Sequence, residues 1–497
     1  MRVVMAAAEV APFARVGGLS DVAGALSKAI AALGHEVTLF LPKYATIDER
    51  KHGLAPVPGI SEIGVPMGPS VERVRLWTAP MPGSDRVRVI FVGHDGAFGR
   101  KGIYVDPSTG EGYPDEVERY ALFSRAVLEA AKALELRPSV LHLNDHHTAL
   151  AAVYLKTVLE DDPALGRPGV VFSIHNLGYL GGFDKALLPR VGFSVDRSVY
   201  GSPFEHHGGV STLKLGIEYA DYVNTVSEQY AREIASSPEY GHGLEGVLAE
   251  KAAHGRLVGI LNGVDTTVWD PATDPRIPAR FRSDDLAGKK VCKAELLKRC
   301  GLSSDPSVPL VGMVSRLADQ KGFDLVREGA ERMIELGVNV VILGTGQQVY
   351  HEFLSALARR HPDRVSVHLA FDEDLSHWIE AGSDMFLMPS LYEPCGLNQM
   401  YSLRYGTVPV VRATGGLVDT VADCDPTRDT GTGFVFREYT AAAMLGALGR
   451  AVELHRNQAA WTRLIRRGMA IDFSWRASAE RYADLYEKAA LAAGRAS

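Results

Sequence analysis

Short apolar runs alternate with helical patterns along this chain, and no other feature limits its possible folds as strongly. The first series predicts strands at residues 3–6, 37–41, 87–92, 140–143, 170–174, 222–226 and 257–261. A helix is predicted from about residue 20 to residue 33, where Gly34 ends it. Apolar strands separated by helices are typical of a parallel sheet covered on both faces, so the predicted fold class is α/β.

The alternation starts again after a segment with prolines at positions 271, 275 and 278, which indicates irregular chain. The second series predicts strands at residues 310–314, 338–343, 365–369, 385–388 and 408–411. Two such series predict two Rossmann-like domains that face each other across a cleft. We place the N-terminal domain at residues 1–260 and the C-terminal domain at residues 264–473. The helical tail from about residue 475 can pack on either domain.

Composition excludes several classes of protein. The net charge is −7 and no basic stripe is present, which argues against a nucleic-acid partner but not against a small anionic ligand. Four cysteines without a CxxC pair argue against a disulfide scaffold and against zinc. No apolar run is long enough to cross a membrane, and Glu9 and Pro12 interrupt the apolar N-terminus, so we expect neither a membrane partner nor a signal peptide but a cytoplasmic protein.

Two similar glycine turns occur, one in each predicted domain. Gly17-Gly18-Leu19 and Gly415-Gly416-Leu417 both precede helical patterns. Paired glycines at a helix start let backbone N–H groups approach an anion, and the helix dipole favours negative charge there. Either turn alone is equally compatible with an ordinary tight turn. As a pair, they predict two anion-binding turns that bracket a diphosphate in the cleft.

Arg316 and Lys321 follow the predicted strand at residues 310–314. In open α/β sheets ligands bind beyond the carboxyl ends of the strands, so both cations are expected to face the cleft. Two cations suit a leaving diphosphate, whose negative charge grows as its bond to a sugar breaks. The alternative is a solvated basic loop.

Glu393 follows the predicted strand at residues 385–388, and a helical pattern begins at residue 398. Pro394 and Gly396 shape the intervening turn. A carboxylate here can hold sugar hydroxyls or stabilise positive character at the reacting carbon of a sugar. The alternative role for Glu393 is helix capping. For Cys395 the sequence favours a small buried residue over a nucleophile, because no base lies beside it.

Polar side chains also end two strands of the first domain. Asp145, His146 and His147 follow the strand at residues 140–143, and His175 follows the strand at residues 170–174. Such residues suit recognition of sugar hydroxyls. Asp145, His146 and His147 also allow a metal site, although residues adjacent in sequence rarely direct their side chains at one ion. His175 is equally compatible with a satisfied core histidine.

Taken together, these segments resemble the bacterial glycogen synthases and plant starch synthases over nearly the whole chain. Each motif is weak alone, and the order and spacing of all of them carry the resemblance. The motifs are Ala8-Glu9-Val10-Ala11-Pro12-Phe13 with Gly17-Gly18-Leu19, His175-Asn176, Leu261-Asn262-Gly263-Val264-Asp265, Ser315-Arg316-Leu317, Gln320-Lys321-Gly322, Glu393-Pro394-Cys395-Gly396-Leu397, Thr414-Gly415-Gly416-Leu417 and Phe473-Ser474-Trp475.

The resemblance implies a GT-B glycosyltransferase that moves glucose from ADP-glucose to the non-reducing end of an α-1,4-glucan. It implies retention of configuration, no metal and no cofactor, and a terminal helix at residues 475–497 that joins the first domain. Arg316 and Lys321 would bind the diphosphate, Glu393 the glucose, and His175 and Asp145 the transferred glucose and the acceptor. Further substrate-binding residues implied by the resemblance are Glu9, Arg15, Gly17, Gly18, Asn176, Asn262, Cys395, Gly396, Leu397, Tyr401, Thr414, Gly415, Gly416 and Leu417.

Two positions depart from the family pattern, which usually has lysine at Arg15 and often tryptophan at His146.

Retention without an evident nucleophile favours a front-side route, and a covalent route through Asp145 stays open. The rival functions are another GT-B transferase, a glucan phosphorylase dependent on pyridoxal phosphate, and a non-catalytic glucan-binding protein. The sequence does not determine the oligomeric state.

Overall fold

Two large sheets and one two-stranded sheet organise the computed structural model, which describes residues 1–494, and each large sheet belongs to a separate unit of the chain. The first unit contains Met1–Val226, Ala231–Gly263 and the segment from Trp475 onward. The second contains Ser227–Tyr230 and Val264–Ser474. Residues 227–230, which the sequence prediction assigns to the N-terminal domain, thus group with the second unit. The last three residues of the predicted terminal helix, 495–497, lie outside the described residues.

The strands of the first unit are β1 (Arg2–Ala6), β2 (Glu36–Pro42), β3 (Ala55–Pro56), β4 (Glu62–Met67), β5 (Ser70–Met81), β6 (Ser84–Gly93), β7 (Val140–Asn144), β8 (Gly169–Ile174), β9 (Gly182–Phe183), β10 (Val210–Ser211), β11 (Tyr222–Thr225) and β12 (Leu257–Gly259). The parallel strands follow the order β12-β11-β8-β7-β1-β2-β6. Strands β7 and β8 are buried along their whole length, as expected for a parallel sheet covered on both faces.

An antiparallel extension of this sheet was not predicted. Strand β5 pairs antiparallel with β6, and β3 and β4 pair antiparallel with β5. Exposed and buried residues roughly alternate along β5, as is typical of a strand with one solvated face. Because one of its faces is solvated, β5 contains no continuous apolar run of the kind that indicates a buried strand.

The strands of the second unit are β13 (Leu310–Val314), β14 (Asn339–Leu343), β15 (Val365–His368), β16 (Met385–Met388), β17 (Val408–Arg412) and β18 (Phe434–Phe436). All are parallel, in the order β15-β14-β13-β16-β17-β18. Numbered along the chain this is 3-2-1-4-5-6, the order of a doubly wound Rossmann sheet. The predicted Rossmann-like architecture is therefore confirmed, with the short β18 as an unpredicted addition.

The strand order reverses beside the first parallel strand of each unit. In the first unit the reversal lies between β1 and β7, and in the second it lies between β13 and β16. Connections leave such a pair of strands in opposite directions, so a crevice opens at their carboxyl ends. The residues that follow these four strands include Glu9, Asp145, Arg316 and Glu393. Each unit therefore places predicted site residues at its switch point.

Helices cover both sheets, and α1 shows why these segments are helical. Its apolar residues Leu19, Val22, Leu26 and Ile30 recur every three or four positions and are all buried. The helices are α1 (Gly18–Ala32), α2 (Glu49–His52), α3 (Asp95–Phe98), α4 (Glu116–Ala133), α5 (Leu150–Lys156), α6 (Thr212–Tyr219), α7 (Glu228–Ser236), α8 (Pro238–Gly241), α9 (Glu245–Ala253), α10 (Ala287–Arg299), α11 (Phe323–Glu335), α12 (Gln348–Arg360), α13 (Glu373–Gly382), α14 (Asn398–Arg404), α15 (Gly415–Thr420), α16 (Ala441–His455), α17 (Gln458–Met469) and α18 (Trp475–Ala492), with short 3-10 helices at Lys185–Val191, Val195–Ser198 and Asp319–Lys321. Within residues 1–494, none of the helices is both long and apolar enough to span a membrane.

A buried polar network fastens α18 to the sheet of the first unit. The imidazole of His142 on β7 lies 2.8 Å from the hydroxyl of Tyr486 and 2.6 Å from that of Ser173. The Ser173 hydroxyl donates to Asn224 Oδ1 at 2.6 Å, and Asn224 Nδ2 donates to the hydroxyl of Tyr482 at 2.9 Å. Burial lowers the pKa of His142 to about 3, so its ring is neutral. Helix α18 is thus hydrogen-bonded to β7 and β11, and Ser173 on the intervening β8 links the two contacts.

We expect Tyr486→Phe to weaken this attachment, because it leaves a ring nitrogen of the buried His142 without its partner. The free energy of unfolding should fall by about 1–3 kcal/mol. Tyr200→Phe is the matched control, since Tyr200 is 95% exposed. Urea denaturation of both variants measures the difference. An equal and small effect in the two variants would contradict the proposed importance of the network.

Candidate active site

An ion pair stands at the switch point of the second unit. Lys321, at the end of the 3-10 turn after β13, places Nζ 2.6 Å from Glu393 Oε2. The hydroxyl of Ser390 donates to the same carboxylate oxygen at 3.1 Å. The Glu393 side chain is only 7% exposed and that of Lys321 only 19%. The structure therefore brings together two of the predicted catalytic residues in a site with little solvent.

Hydrogen bonds to backbone carbonyl groups hold the loop that carries Glu393. The N–H of Gly416 donates to the carbonyl of Glu393 at 3.1 Å, and the hydroxyl of Ser227 donates to the carbonyl of Pro394 at 2.7 Å. Gly396 has φ 71°, a left-handed conformation that favours glycine. The guanidinium of Arg412, at the end of β17, donates to the carbonyl of Leu391. These contacts fix the direction of the Glu393 side chain.

The glycine turn at residues 414–417 makes close contacts with the loop that carries Glu393. The N–H of Gly416 donates to Glu393 O, and that of Leu417 donates to Thr414 O at 3.1 Å. Those two groups are therefore not available to a phosphate in this conformation. A Cβ on Gly415 would lie 2.0 Å from Glu393 O, and one on Gly416 would lie 2.1 Å from Cys395 O. The glycines allow the turn to pack against the backbone of the Glu393 loop.

The other predicted residues of the second unit surround this loop. Arg316 is exposed and donates to Gln320 Oε1 at 3.0 Å. Cys395 and Thr414 are buried, whereas Leu397 begins α14 and is partly exposed. Tyr401 stacks on Trp269 with ring centroids 4.0 Å apart. The burial of Cys395 agrees with a packing role for its side chain rather than with a nucleophile.

Glu9 occupies the switch point of the first unit. Its Oε2 accepts hydrogen bonds from the N–H groups of Val16 at 2.6 Å and Gly17 at 2.8 Å. Its Oε1 accepts one from the hydroxyl of Tyr104 at 3.1 Å. Burial raises the pKa of Glu9, and these three hydrogen bonds oppose the shift. The N–H groups of Val16 and Gly17 therefore bind the carboxylate of Glu9.

The predicted contact of the first glycine turn with a diphosphate stays a prediction. The N–H of Gly17 cannot bind a phosphate while it donates to Glu9, whereas a Cβ on Gly18 would meet nothing within 4 Å. Arg15 lies at the surface beside Asp21, with 3.2 Å between Nη2 and Oδ2. The Arg15 side chain is 50% exposed.

A chain of hydrogen bonds crosses the carboxyl ends of β1, β7 and β8. Asn144 Nδ2 donates to the carbonyl of Ala6 at 3.0 Å, and Asn144 Oδ1 lies 2.9 Å from His175 Nε2. The N–H of His175 donates to Asp145 Oδ1 at 2.8 Å. Asp145 has φ 57°, so a left-handed backbone turns its carboxylate towards the loop after β8. The structure thus brings together the predicted residues Asp145 and His175.

The same hydrogen bonds determine which nitrogen of His175 carries the proton. The amide of Asn144 turns its oxygen towards His175, because its nitrogen donates to Ala6. Nε2 of His175 must therefore donate. Burial lowers the pKa of His175, so the ring is neutral at neutral pH and Nδ1 keeps a lone pair. That nitrogen is suited to accept a hydrogen bond from a hydroxyl group.

Two other predicted residues of the first unit, Asn176 and Asn262, take no part in this chain of hydrogen bonds. Asn176 Oδ1 accepts from the N–H of Gly178 at 2.9 Å. Asn262 is buried, and its Oδ1 has no hydrogen-bond partner among the described residues.

His146 and His147 direct their rings towards Glu116 rather than towards Asp145, so the suggested cluster of Asp145, His146 and His147 does not form.

Sequence reasoning missed the residues that orient the predicted ones. Asn144 and Arg412 are the last residues of β7 and β17, so their position at strand ends was a usable signal. Ser227 and Tyr104 gave no comparable signal, because both act from loops far away in sequence. Their partners are Pro394 and Glu9.

Comparisons with known proteins agree with this arrangement. The starch synthase catalytic domain family matches residues 2–250, and the family of glycosyl transferases group 1 matches residues 299–467. A glycogen synthase from Anaeromyxobacter sp. (strain Fw109-5) is 46% identical over 491 residues, which cover 99% of this chain and 100% of the relative. The chain belongs to the glycogen synthase and starch synthase family.

Further members of this family match with similar coverage. A glycogen synthase from Syntrophotalea carbinolica is 45% identical over 98% of this chain and 99% of its own length. The solved catalytic domain of starch synthase IV from Arabidopsis thaliana has a TM-score of 0.88 and 34% identity, over 98% of this chain and 99% of that one. The chain is therefore a GT-B glycosyltransferase, and the predicted family and fold are confirmed.

We expect Gly416→Ala to damage the site, because the added Cβ would lie 2.1 Å from the carbonyl oxygen of Cys395 and displace the Glu393 loop. The free energy of unfolding should fall by about 1–3 kcal/mol. Gly446→Ala is the matched control, since Gly446 lies in α16 and a Cβ added there would meet nothing within 4 Å. The control should be neutral or gain about 0.5–1 kcal/mol. Denaturant titration of both variants measures this contrast, and equal stabilities would contradict it.

Proposed function

We propose that this chain transfers glucose from ADP-glucose to the non-reducing end of an α-1,4-glucan with retention of configuration. The observation that carries the proposal is the Lys321–Glu393 pair at the switch point between β13 and β16. It occurs in a chain that is similar over its full length to glycogen synthases.

The charges of this pair suit a sugar diphosphate. The ester of such a donor joins a sugar carbon, which becomes positive as the bond breaks, to a phosphate oxygen, which becomes negative. Glu393 and Lys321 offer one negative and one positive group 2.6 Å apart in a site with little water. We assign Glu393 to the sugar side of the ester. Lys321, with the exposed Arg316, is assigned to the diphosphate.

The solved Arabidopsis catalytic domain was bound to ADP and acarbose. That complex supports ADP as the leaving group of the reaction proposed here. In the first unit, we assign His175 to a hydroxyl of the transferred glucose or of the acceptor, because its Nδ1 has a lone pair to offer. Asp145 supports this role by holding the backbone N–H of His175.

We propose a front-side route for the transfer. The bond between the anomeric carbon and the diphosphate oxygen breaks, and the acceptor hydroxyl forms its bond on the same face. The proton of that hydroxyl passes to the leaving phosphate oxygen. The carboxylates of Glu9, Asp145 and Glu393 each already accept hydrogen bonds within the protein, which makes them weaker nucleophiles and favours this route over a covalent one.

We further propose that the reaction needs no resident metal ion or cofactor and occurs in the cytoplasm. Arg316 and Lys321 can supply the positive charge that a leaving diphosphate requires. This part of the proposal follows the family resemblance.

The direct test is to incubate the protein with glycogen and either ADP-glucose or UDP-glucose and to measure nucleotide release. We expect faster release from ADP-glucose, with glycogen elongation in equal amount and little release when glycogen is omitted. No turnover with either donor, in folded protein, would refute the proposed reaction. Faster turnover with UDP-glucose would refute only the assignment of the donor.

Glu393→Ala tests the residue at the centre of the site. Turnover should fall by roughly 100-fold or more, because the variant loses the carboxylate beside the reacting carbon. The fold should survive, since Lys321 keeps some access to solvent. Glu453→Ala removes an exposed glutamate that pairs with Arg456 and serves as the matched control. Near-normal turnover in Glu393→Ala, measured beside the control, would remove Glu393 from the site.

A further inference from the structure

Three side chains of the first unit converge outside the site described above. Glu116 begins α4, and His146 and His147 lie in the segment between β7 and α5. Nε2 of His146 lies 3.6 Å from Glu116 Oε1, and Nε2 of His147 lies 3.8 Å from the same oxygen. One potential metal-ligand atom from each of the three residues lies within 4.8 Å of the others.

The two imidazoles make no hydrogen bond with the protein within residues 1–494. The distances from Nε2 to Glu116 exceed hydrogen-bond length, and both Nδ1 atoms are buried without a partner. The side chains of His146 and His147 are only 10% and 8% exposed. Since the Nε2 atoms make no hydrogen bond with the described residues, a ligand can bind them without breaking one.

The spacing of the three atoms suits a bound cation better than direct pairing. Zinc binds imidazole nitrogen at about 2.0–2.1 Å and carboxylate oxygen at about 2.0–2.2 Å, so tetrahedral ligands lie about 3.4 Å apart. The observed separations from nitrogen to oxygen, 3.6 Å and 3.8 Å, are a few tenths of an ångström larger. A small rotation of the half-exposed Glu116 side chain would close that difference.

Neighbouring rings hold the two histidines in place. The rings of His146 and His147 lie 3.7 Å apart between centroids. The ring of His147 also contacts Tyr104 at 4.9 Å and Tyr120 at 4.5 Å. Little side-chain freedom therefore remains to be lost when an ion binds. The Nδ1 atoms lack the outer partners that strengthen many metal sites, so we expect moderate rather than very tight affinity.

A cavity of about 320 Å³ opens beside the cluster. Glu116 and His146 both line it, together with Tyr113, Phe183 and Thr212. An ion held by three protein ligands could therefore take water or a small oxygen or nitrogen donor from the cavity as its fourth ligand. A site with an open position of this kind differs from a closed structural site.

We propose that Glu116, His146 and His147 form a site for a first-row divalent transition metal, with zinc as the expected occupant. Two imidazoles and one carboxylate favour such ions over magnesium or calcium. Asp145 does not belong to this cluster, and its Oδ1 accepts from the backbone N–H of His175 instead. The site is not assigned to glucosyl transfer, so the proposal holds or fails independently of the proposed function.

The test is titration of the purified, metal-free protein with Zn²⁺ by calorimetry and with Co²⁺ by visible absorption. We expect one ion per chain and the absorption of four-coordinate Co²⁺. Two variants each remove one ligand. His146→Trp introduces the residue that the family often has at this position, and Glu116→Gln keeps the size of a half-exposed side chain. Each should weaken binding by roughly tenfold or more.

The matched control replaces both His206 and His207 by alanine, a pair of adjacent histidines whose rings lie 4.4 Å apart elsewhere in the first unit. The control should bind Zn²⁺ and Co²⁺ like the original protein. Thermal unfolding without metal confirms that all variants are folded, and added Zn²⁺ should raise the Tm of the original protein and of the control only. Absence of stoichiometric binding would overturn the proposal. Unchanged affinity in His146→Trp and Glu116→Gln would also overturn it.

Discussion

The reversal of strand order beside one central strand is the constraint on which this structure depends. A parallel sheet needs a crossover between successive strands, and connections that leave to opposite sides separate at the reversal. Glu9 and Asp145 lie at the carboxyl ends of β1 and β7, whereas Arg316 and Glu393 follow β13 and β16. The chemistry of each unit is therefore located by topology before any individual side chain is considered.

Internal hydrogen bonds then decide which of these groups remain available to a substrate. The carboxylate of Glu9 accepts from the N–H groups of Val16 and Gly17 at the first glycine turn. The carbonyl of Glu393 accepts from the N–H of Gly416 at the second. The side chains of Arg15 and Arg316 stay exposed. At the second turn, the glycines therefore allow close packing against the backbone of the Glu393 loop.

The sequence predicted nearly all of the buried parallel strands, because a strand covered on both faces is a continuous apolar run. It did not predict β4 and β5, where one solvated face breaks the run into alternating residues. Among the predicted site residues, Lys321 meets Glu393 and Asp145 meets His175, because the two members of each pair follow neighbouring strands. The roles of Ser227, Tyr104 and Glu116 depend on tertiary contacts with residues far away in sequence, which no local pattern can indicate.

The second unit is an insertion in the first. The chain leaves the first unit after Gly263 and returns at Trp475, and the two connecting segments pair where the N–H of Val264 donates to the carbonyl of Phe473 at 2.6 Å. Most of the second unit is encoded by one continuous segment of the gene, whereas the first unit is encoded by separate segments. The continuous segment can therefore be replaced as one block, because its two ends encode adjacent parts of the structure. A stop codon anywhere before α18, in contrast, removes part of the earliest-synthesised unit.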